Sequence, residues 1–372
     1  MPFCRDHRIM TTTVPHPTGK AALRGRILRL AASVTTPLLP DDYLDLVAPL
    51  RSGADLRGRI LAVRPETADA VTLVIQPGRD WRGHTPGQYV RLGVDVDGVR
   101  QWRAYSVTSA PARRGGPISV TVKAIPDGVV SNHLVRRTRP GTVVQLDQAQ
   151  GDFVLPGRPP TRVLFVTAGS GVTPVMGMLR ADVLGGADVV VVHSAPTPAD
   201  VIFGVELRDL AERGAIRLVE RHTDTDGLLT VGDLDRLVPD HLDRETWACG
   251  PTGLLDALAA HWTAGGCGER LHTERFRPTV ISPGEGGTVT FARSGVTVQA
   301  DGATPLLDAG ENAGVLMPSG CRMGICFGCV LPLRQGAVRD LRNGDLTTAV
   351  PGDGVRIQTC VSAAAGPCDI DH

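Results

Sequence analysis

The fold of the C-terminal region follows from the stretch Cys321-Arg-Met-Gly-Ile-Cys326-Phe-Gly-Cys329, read together with Cys360. Four residues separate the first two cysteines, two the next pair and thirty the last pair. Plant-type [2Fe–2S] clusters are held by four thiolates at this kind of spacing. Because the run Val355–Val361 reads as a strand ending near Cys360, a distant strand can close the cage. We therefore predict a [2Fe–2S] cluster bound by Cys321, Cys326, Cys329 and Cys360.

The residues around the cysteines also bear on the alternatives. Gly320, Gly324 and Gly328 give the loop the freedom to adopt positive φ and to turn its amides towards the sulfurs. A structural zinc site usually contains two Cys-x-x-Cys knuckles, and this chain has one. Cys368 is an alternative fourth ligand, although its surroundings, Ala-Ala-Gly-Pro, predict no strand to hold it.

Size and charge exclude several classes of protein. The chain has 372 residues, which predicts two or three domains, and 39 basic against 39 acidic residues, so nothing indicates a nucleic acid as partner. No apolar run approaches the roughly 18–20 residues of a membrane span, and the first residues show no signal-peptide core. The cysteines outside the predicted cluster show no disulfide framework, so we expect a reducing, cytoplasmic location.

The hydrophobic pattern changes twice along the chain. From about Asp55, short β-type runs separated by Pro and Gly predict a small antiparallel barrel. After Pro160, buried apolar strands alternate with helices, including one at 174–184, which indicates a parallel sheet covered on both faces. Beyond a Pro-rich linker that begins at Pro278, a hairpin and a helix at 305–313 precede the cysteine loop.

The barrel carries a pattern that suits a flavin. In Arg103-Ala-Tyr105-Ser106, the arginine can pair with a phosphate, the tyrosine ring can cover one face of an isoalloxazine, and the serine can hydrogen-bond near its N5. These residues alone could equally belong to a strand with a core tyrosine. Downstream, a predicted strand and a glycine turn that enters a helix form a ready pyrophosphate site. These segments contribute Val122, Lys123, Gly128, Val129 and Ser131.

Two further patterns suit a nicotinamide dinucleotide. The turn Gly169-Ser-Gly171-Val-Thr173-Pro174 follows a buried strand and opens a helix, where the phosphates of a dinucleotide bind. It is not the full G-x-G-x-x-G fingerprint, so an ordinary strand-to-helix turn stays open. Cys249-Gly250-Pro251 lies at the end of what reads as the last strand of this unit, at the expected ligand crevice. A buried free cysteine before a turn is the alternative there.

In this order the motifs resemble those of the ferredoxin–NADP reductase superfamily over about residues 57–278. The resemblance implies that Arg103 holds the flavin phosphate, that Tyr105 and Ser106 face the isoalloxazine, and that Cys249 lies beside the nicotinamide. It maps the glycine-rich turn onto the segment that starts at Gly169. It also implies that Glu274-Arg-Phe276 is the acidic–aromatic end of the nucleotide domain that approaches the flavin.

With the C-terminal ferredoxin added, the order resembles phthalate dioxygenase reductase. Segments such as Leu38-Leu-Pro-Asp-Asp-Tyr43 resemble, more narrowly, actinobacterial reductases that supply a stearoyl-CoA desaturase. The resemblance implies an enzyme that passes electrons from a nicotinamide to FAD, then to the [2Fe–2S] cluster and then to a fatty-acyl desaturase at a membrane. A soluble hydroxylase, a Rieske oxygenase or a P450 is the alternative acceptor. A non-catalytic electron-transfer subunit or redox sensor is a further alternative.

Two cofactor choices stay open, because FMN-using relatives share the flavin motif and NADH competes with NADPH. No acidic residue ends the strand at Ser194, where an Asp or Glu would hold a ribose 2′-hydroxyl, and Ser194, Arg208 and Arg221 could meet a 2′-phosphate. We therefore favour FAD and NADPH. The predicted domains are an N-terminal extension at 1–56, an FAD-binding antiparallel barrel at 57–157, a doubly wound parallel α/β nucleotide domain at 158–278, and a β-grasp ferredoxin domain at 284–372.

Overall fold

The computed structural model describes residues 47–96, 98–112, 115–126, 128–276, 283–320, 322, 324 and 327–372. Most of the predicted N-terminal extension lies outside these residues, as do the linker at 277–282 and the two cluster cysteines Cys321 and Cys326. The described chain forms three sheets in sequence order: one antiparallel, one parallel and one mixed. The multidomain α/β and β architecture predicted from the sequence is thereby confirmed.

The first sheet contains six antiparallel strands in the order β4-β3-β6-β1-β2-β5. The bridge between Val107 and Val120 joins the residue after β4 to β5, and the Thr108 amide donates to the Ser119 carbonyl at 2.8 Å. The strand order therefore closes on itself as a barrel around a core of buried valines, leucines and isoleucines. The strands are β1 Arg57–Thr67, β2 Ala70–Pro77, β3 Tyr89–Val96, β4 Val99–Ser106, β5 Ile118–Lys123 and β6 Val143–Leu146; the helix α1 Val129–Arg136 follows β5.

The second sheet is parallel, with the order β11-β10-β7-β8-β9. Its central strands are continuous apolar runs because helices cover both faces. The chain builds outward from β7 to β9 and then returns to the other side of β7, so the topological switch point lies between β7 and β10. The elements are β7 Arg162–Ala168, α2 Val172–Arg180, β8 Asp188–Ala195, α3 Gly204–Glu212, β9 Arg217–His222, α4 Thr223–Asp226, α5 Val231–Leu237, β10 Glu245–Cys249, α6 Thr252–Ala264 and β11 Leu271–Glu274.

Two sequence expectations for this sheet were wrong. The strand that ends at Cys249 is not the last of the unit, because β11 pairs with it in parallel and carries Glu274 at its end. Strand β11 is only four residues long and is not a continuous apolar run, which is why the hydrophobic pattern of the sequence did not reveal it. Helix α2 ends at Arg180 instead of reaching residue 184, and Asp182 follows with a φ of 53° in the left-handed region.

The third sheet has the order β13-β12-β17-β14-β15, with β16 paired to β14. Strand β17 lies at its centre, parallel to β12 and antiparallel to β14. The expectation that no strand holds Cys368 was wrong, since this residue lies within β17. The strand continues through Gly366, although this glycine adopts a φ of 126°. The elements are β12 Gly287–Phe291, β13 Val296–Ala300, α7 Leu306–Asn312, β14 Val330–Asp340, β15 Leu346–Ala349, β16 Arg356–Gln358 and β17 Ser362–Ile370.

Helix α2 packs directly against the end of the barrel. A Cβ at Gly177 would lie 2.4 Å from the carbonyl oxygen of Val107, so only glycine permits this close approach. One turn later Arg180 donates to the Thr108 carbonyl at 2.7 Å and pairs with Glu206 on α3. The barrel and the parallel sheet are thus joined by the backbone contact at Gly177 and by the hydrogen bond from Arg180, whose guanidinium Glu206 holds in place. Among the described helices, none combines the length and the apolar character that crossing a membrane requires.

Candidate functional site

A cavity of about 1040 Å³ lies where the three sheets meet. Its barrel wall contains the Arg-x-Tyr-Ser motif and the first turn of α1, its second wall contains the end of β11, and its third contains α7 and the edge of the cysteine loop. The structure thereby brings together predicted residues from all three regions. These are Arg103, Tyr105, Ser106, Lys123, Gly128, Val129, Ser131, Thr173, Glu274, Phe276 and Cys360.

Arg103 is the cation that this cavity leaves available. Its guanidinium donates to the Trp102 carbonyl at 2.8 Å and to Gln101 Oε1 at 3.2 Å, and no described carboxylate forms an ion pair with it. Burial, together with the positive charge of Arg322, lowers the pKa of Arg103. Lys123, in contrast, is already paired with Asp69 at 2.6 Å. An anion such as a flavin phosphate therefore fits Arg103 rather than Lys123.

The next two motif residues have the chemistry that an isoalloxazine ring requires. Ser106 is 4 % exposed, and its Oγ has no hydrogen-bond partner among the described residues. Buried hydroxyls without a partner are rare, so this atom fits a ligand group that can pair with it. Tyr105 lines the same cavity, and burial raises the pKa of its phenol, which keeps the ring neutral. A flat, partly polar ring system matches this pair.

The first turn of α1 supplies amide donors for a phosphate. No side chain caps this helix, so its first N–H groups stay available. Gly128 is required there, because a Cβ would lie 2.4 Å from Ser131 Oγ and 2.5 Å from Ile125 Cγ1. Ser131 itself donates to the Gly128 carbonyl at 3.1 Å and accepts from the Ile125 amide at 3.3 Å. Ser131 therefore shapes the turn, and the backbone amides at the start of α1 are the groups left to bind a phosphate.

The glycine-rich turn and the Cys-Gly-Pro segment meet at the switch point of the parallel sheet. A Cβ at Gly171 would lie 2.0 Å from the carbonyl oxygen of Cys249, so the two loops are in backbone contact. Gly169 adopts a φ of 54°, which glycine tolerates without strain. Thr173 Oγ1 donates to the Ser170 carbonyl at 2.9 Å and fixes the start of α2. This crevice is where a doubly wound sheet binds a dinucleotide.

Cys249 and Glu274 are register partners on β10 and β11. Burial, reinforced by the charge of Asp152, raises the pKa of Glu274 to about 8, and Glu274 Oε2 has no hydrogen-bond partner among the described residues. Burial, then the charge of Glu274, raises the pKa of the Cys249 thiol well above its usual value. Both groups are therefore mainly protonated at neutral pH. Phe276, 39 % exposed, follows at the cavity wall.

Two of the predicted cluster cysteines can be placed. The backbone amide and the hydroxyl of Thr359 both donate to the Cys329 carbonyl, at 3.2 and 3.0 Å, which brings Cys360 next to Cys329. Both cysteines are buried. The expectation of a strand ending at Cys360 needs correction, since β16 ends at Gln358 and Cys360 lies in the turn before β17. A turn still fits a ligand that must reach into a loop.

The residues with positive φ in the cysteine loop are not the ones expected from the sequence. Gly324 adopts a φ of 76°, whereas Gly320 and Gly328 are not among the described residues with positive φ. Arg322 and Phe327 adopt positive φ instead, at 58° and 54°. Non-glycine residues held in this region are commonly found at functional sites. Phe327 is 68 % exposed, so the loop presents an aromatic ring to the solvent beside the third cysteine.

Arg342 adds a positive charge to the cysteine site. Its guanidinium donates to the Gly324 carbonyl at 3.0 Å and pairs with Asp340. The hydrogen bond to Asp340 raises the pKa of Arg342, and the negative charges of the Cys360 and Cys329 thiolates add to this effect. A buried anionic cluster fits beside a fixed cation. No sequence motif indicated Arg342, because it is thirteen residues from the nearest cluster cysteine and reaches the loop only through the fold.

Some predicted residues do not line the cavity. The Val122 side chain is fully buried in the barrel core, so only its backbone can face a flavin. The members of the switch-point crevice are not among the residues that line the cavity; they are Gly169, Gly171, Pro174, Ser194, Cys249, Gly250 and Pro251. The sequence reasoning also missed Asp308 and Glu311 on α7, which line the cavity and bind Arg322. Their charges reach Arg103 across the cavity.

Comparison with known proteins extends this picture. A family model described as "Oxidoreductase FAD-binding domain" matches residues 72–155, and one described as "2Fe-2S iron-sulfur cluster binding domain" matches residues 289–365. An NADPH oxidoreductase of Mycobacterium tuberculosis is 53 % identical, over 96 % of this chain and 93 % of the relative. A glycine betaine monooxygenase reductase subunit of Pseudomonas aeruginosa is 30 % identical over 77 % of this chain and 87 % of the relative.

This chain belongs to the family of FAD- and [2Fe–2S]-containing NAD(P)H oxidoreductases. The structure of phthalate dioxygenase reductase has the same fold, with a TM-score of 0.59 at 22 % identity, covering 85 % of this chain and 97 % of that chain. This reductase therefore has residues that fit each of the family's two bound cofactors. Arg103, Ser106 and the α1 amides fit the flavin, and Cys329 and Cys360 fit the cluster.

We expect Ser106→Ala to slow hydride transfer while the flavin stays bound. The Ser106 hydroxyl has no protein partner, so its hydrogen bond is kept for the ligand, and losing one such bond is worth about 1–3 kcal/mol. The rate of flavin bleaching by NADPH, measured by stopped flow, should fall roughly 10–100-fold. Thr108→Ala, which removes a buried hydroxyl paired with Ser119 instead, is the matched control and should leave this rate nearly unchanged.

Proposed function

We propose that this reductase converts the hydride of NADPH into single electrons and delivers them to a separate oxygen-activating enzyme. The observation that carries the proposal is that Cys360 lines the same cavity as Tyr105 and Ser106. The flavin site and the cluster site therefore share one enclosed space within one chain. When bound, the flavin accepts a hydride and the cluster passes on one electron at a time.

The residues of this chain perform the orienting part of that reaction. Arg103 and the amides of α1 hold the anionic part of the flavin, and Ser106 Oγ hydrogen-bonds to the polar edge of its ring. Glu274 and Cys249, both neutral at neutral pH, add no negative charge where a hydride must pass. Arg322, held by Asp308 at 2.7 Å and by Glu311, anchors the cysteine loop to α7 beside the cavity.

The choice of NADPH rests on the region around Ser194. Ser194 and Arg221 are register partners on β8 and β9, so a hydroxyl and a guanidinium lie side by side. Arg221 donates to the Asp226 carbonyl at 2.7 Å, while its buried Nε has no hydrogen-bond partner among the described residues. Both arginines have a carboxylate partner, but Arg208 is held by Glu220 at 2.9 Å, whereas Arg221 lies 3.6 Å from Asp233. The name of the 53 %-identical relative, NADPH oxidoreductase, agrees with this choice.

We expect Arg221→Ala to reduce the preference for NADPH over NADH. A charge-assisted hydrogen bond contributes about 1.5–3 kcal/mol, so the ratio of the two kcat/KM values should fall roughly 10–100-fold. Steady-state kinetics with both nucleotides measure this ratio. Arg236→Ala is the matched control, because Arg236 also pairs with Asp233 but is 69 % exposed. Equal losses with NADPH and NADH would contradict a 2′-phosphate role.

For the acceptor we propose a membrane-bound fatty-acyl desaturase. The support is the resemblance of two segments to the desaturase reductases. One begins at Leu38 and lies outside the described residues, and the other runs from His193 to Phe203. The second candidate is a soluble oxygenase, and the names of the 30 %-identical relatives, reductase subunits of glycine betaine monooxygenase, favour it. In either case the contact face we propose is the cysteine loop with the exposed ring of Phe327.

Reconstitution decides between these acceptors. Purified reductase and NADPH are combined with a membrane desaturase, with no ferredoxin added, and double-bond formation is followed by mass spectrometry. We expect turnover, because the chain supplies its own one-electron exit. An absolute need for added ferredoxin would refute self-sufficiency. Turnover only with a soluble hydroxylase, a Rieske oxygenase or a P450 would move the assignment to the second candidate.

A further inference from the structure

Three side chains that could hold a metal ion lie close together within the nucleotide domain, away from the cavity. They are Asp235 on α5, His241 in the turn after it, and His261 in the last turn of α6. One ligand atom from each lies within 4.8 Å of the others. Neither the flavin chemistry nor the cluster chemistry involves this group.

The tautomer of His241 is set for metal binding. Its Nδ1 lies 2.9 Å from the Val238 carbonyl, which can only accept, so Nδ1 carries the proton. Nε2 therefore has a free lone pair, and it faces His261 Nε2 at 2.9 Å and Asp235 Oδ1 at 3.7 Å. A backbone carbonyl that fixes the outer nitrogen of a ligating histidine is the usual arrangement behind protein metal sites.

The surroundings hold the two rings in place. His241 is 3 % exposed, and the two imidazoles stack with centroids 5.1 Å apart. The fully buried Trp262 packs edge-on against both, at 5.3 and 5.6 Å. Asp235 is 63 % exposed, so one side of the group stays open to water ligands. One buried and one half-buried imidazole nitrogen beside an accessible carboxylate supply three of the four ligands of a tetrahedral ion.

We propose that Asp235, His241 and His261 bind a divalent first-row transition metal ion, with Zn²⁺ as its probe. Ligand bonds of about 2.0–2.1 Å place neighbouring donors of a tetrahedral ion about 3.3–3.4 Å apart. The separations of 2.9 and 3.7 Å from His241 Nε2 lie on either side of this value and the third separation is within 4.8 Å, so side-chain shifts, chiefly of the exposed Asp235, complete the site. The metal ion takes the place of the proton between the two rings, and His261 changes tautomer so that this proton moves to its Nδ1.

The position of this site predicts a stabilising role. His241 precedes β10 and His261 lies at the far end of the helix that follows it, so the group lies at the amino ends of the parallel strands. The dinucleotide crevice lies at their carboxyl ends. A metal ion here ties α5, the turn and α6 together without touching the cofactors. We therefore expect Zn²⁺ to raise the Tm and to leave NADPH oxidation unchanged.

The test uses untagged, cofactor-loaded reductase and ZnCl₂, with binding followed by isothermal titration calorimetry. We expect one site in the wild type, and His261→Gln and Asp235→Asn should each weaken it at least about tenfold. Asp243→Asn is the matched control, since Asp243 is 71 % exposed and lies in the same turn as His241 but outside the group. The rise in Tm with Zn²⁺ should disappear in His261→Gln and persist in Asp243→Asn.

Two results would overturn the proposal. One is the absence of Zn²⁺ binding tighter than millimolar in the wild type. The other is binding that survives unchanged in both His261→Gln and Asp235→Asn, which would assign the ion to cysteines. Visible absorption, recorded during each titration, shows whether the flavin and the cluster stay bound, so a loss of cofactor is not mistaken for a loss of the metal site.

Discussion

Cys360→Ser should yield a protein that lacks the iron–sulfur cluster but still bleaches its flavin with NADPH. The thiolate of Cys360 lies beside Cys329 and is the fourth ligand in the predicted set. Removing an outer partner of a metal ligand already weakens metal binding about 10–100-fold, so losing a ligand should weaken cluster binding about 100-fold or more and leave little iron and sulfide in the protein. Iron and sulfide analysis, the visible spectrum and stopped-flow flavin reduction measure the three parts of this result.

Cys368→Ser provides the matched control, because Cys368 was the alternative fourth ligand. Cys368 is 2 % exposed and packs in the core of the third sheet, where burial raises the pKa of its thiol to about 11. A thiol with this pKa is a poor source of thiolate. We expect Cys368→Ser to keep its cluster and to lose some stability. If Cys368→Ser lost the cluster and Cys360→Ser kept it, the ligand assignment would be wrong.

Arg103→Ala should yield a protein that purifies with little flavin. Arg103 is a half-buried cation that forms no ion pair with a described carboxylate, and a guanidinium binds phosphate in a bidentate way. The loss of about 1.5–3 kcal/mol per charge-assisted hydrogen bond should weaken FAD binding at least roughly 10–100-fold. Flavin released by denaturation and measured by absorbance against protein concentration gives the occupancy.

Lys123→Ala separates this effect from a general loss of positive charge. Lys123 lines the same cavity but is paired with Asp69 at 2.6 Å, so its charge is already balanced within the barrel. We expect flavin occupancy close to that of the wild type. Full occupancy in Arg103→Ala would assign the phosphate to another group, and equal loss in both variants would point to a structural effect on the barrel.

Local patterns in the sequence predicted the elements that are regular along the chain. The valine run of β8 and the apolar run of β7 read as buried parallel strands because helices cover both faces. The Arg-x-Tyr-Ser motif and the glycine turn before α1 could also be recognised, because each depends only on residues that are adjacent in the sequence. The roles predicted for Arg103, Tyr105 and Ser106 thus rest on four consecutive residues.

Features that depend on distant segments could not be predicted in this way. Arg342 reaches Gly324 through the fold, and Asp308 and Glu311 meet Arg322 only because α7 packs beside the cysteine loop. Strand β11 is too short to show a period, and its pairing with β10 is what brings Glu274 next to Cys249. In each case the missing information was the position of one element relative to another.

The central position of β17 has a consequence for the biogenesis of this reductase. Five strands of the third sheet precede β17 in the chain and lie on both sides of it in space, so the sheet stays divided until residue 370 has been synthesised. The barrel and the parallel sheet need no later residues and can fold while translation continues, as domains generally do. Iron–sulfur assembly factors should therefore meet a chain whose first two sheets are already folded, and cluster insertion should be the final step of its maturation.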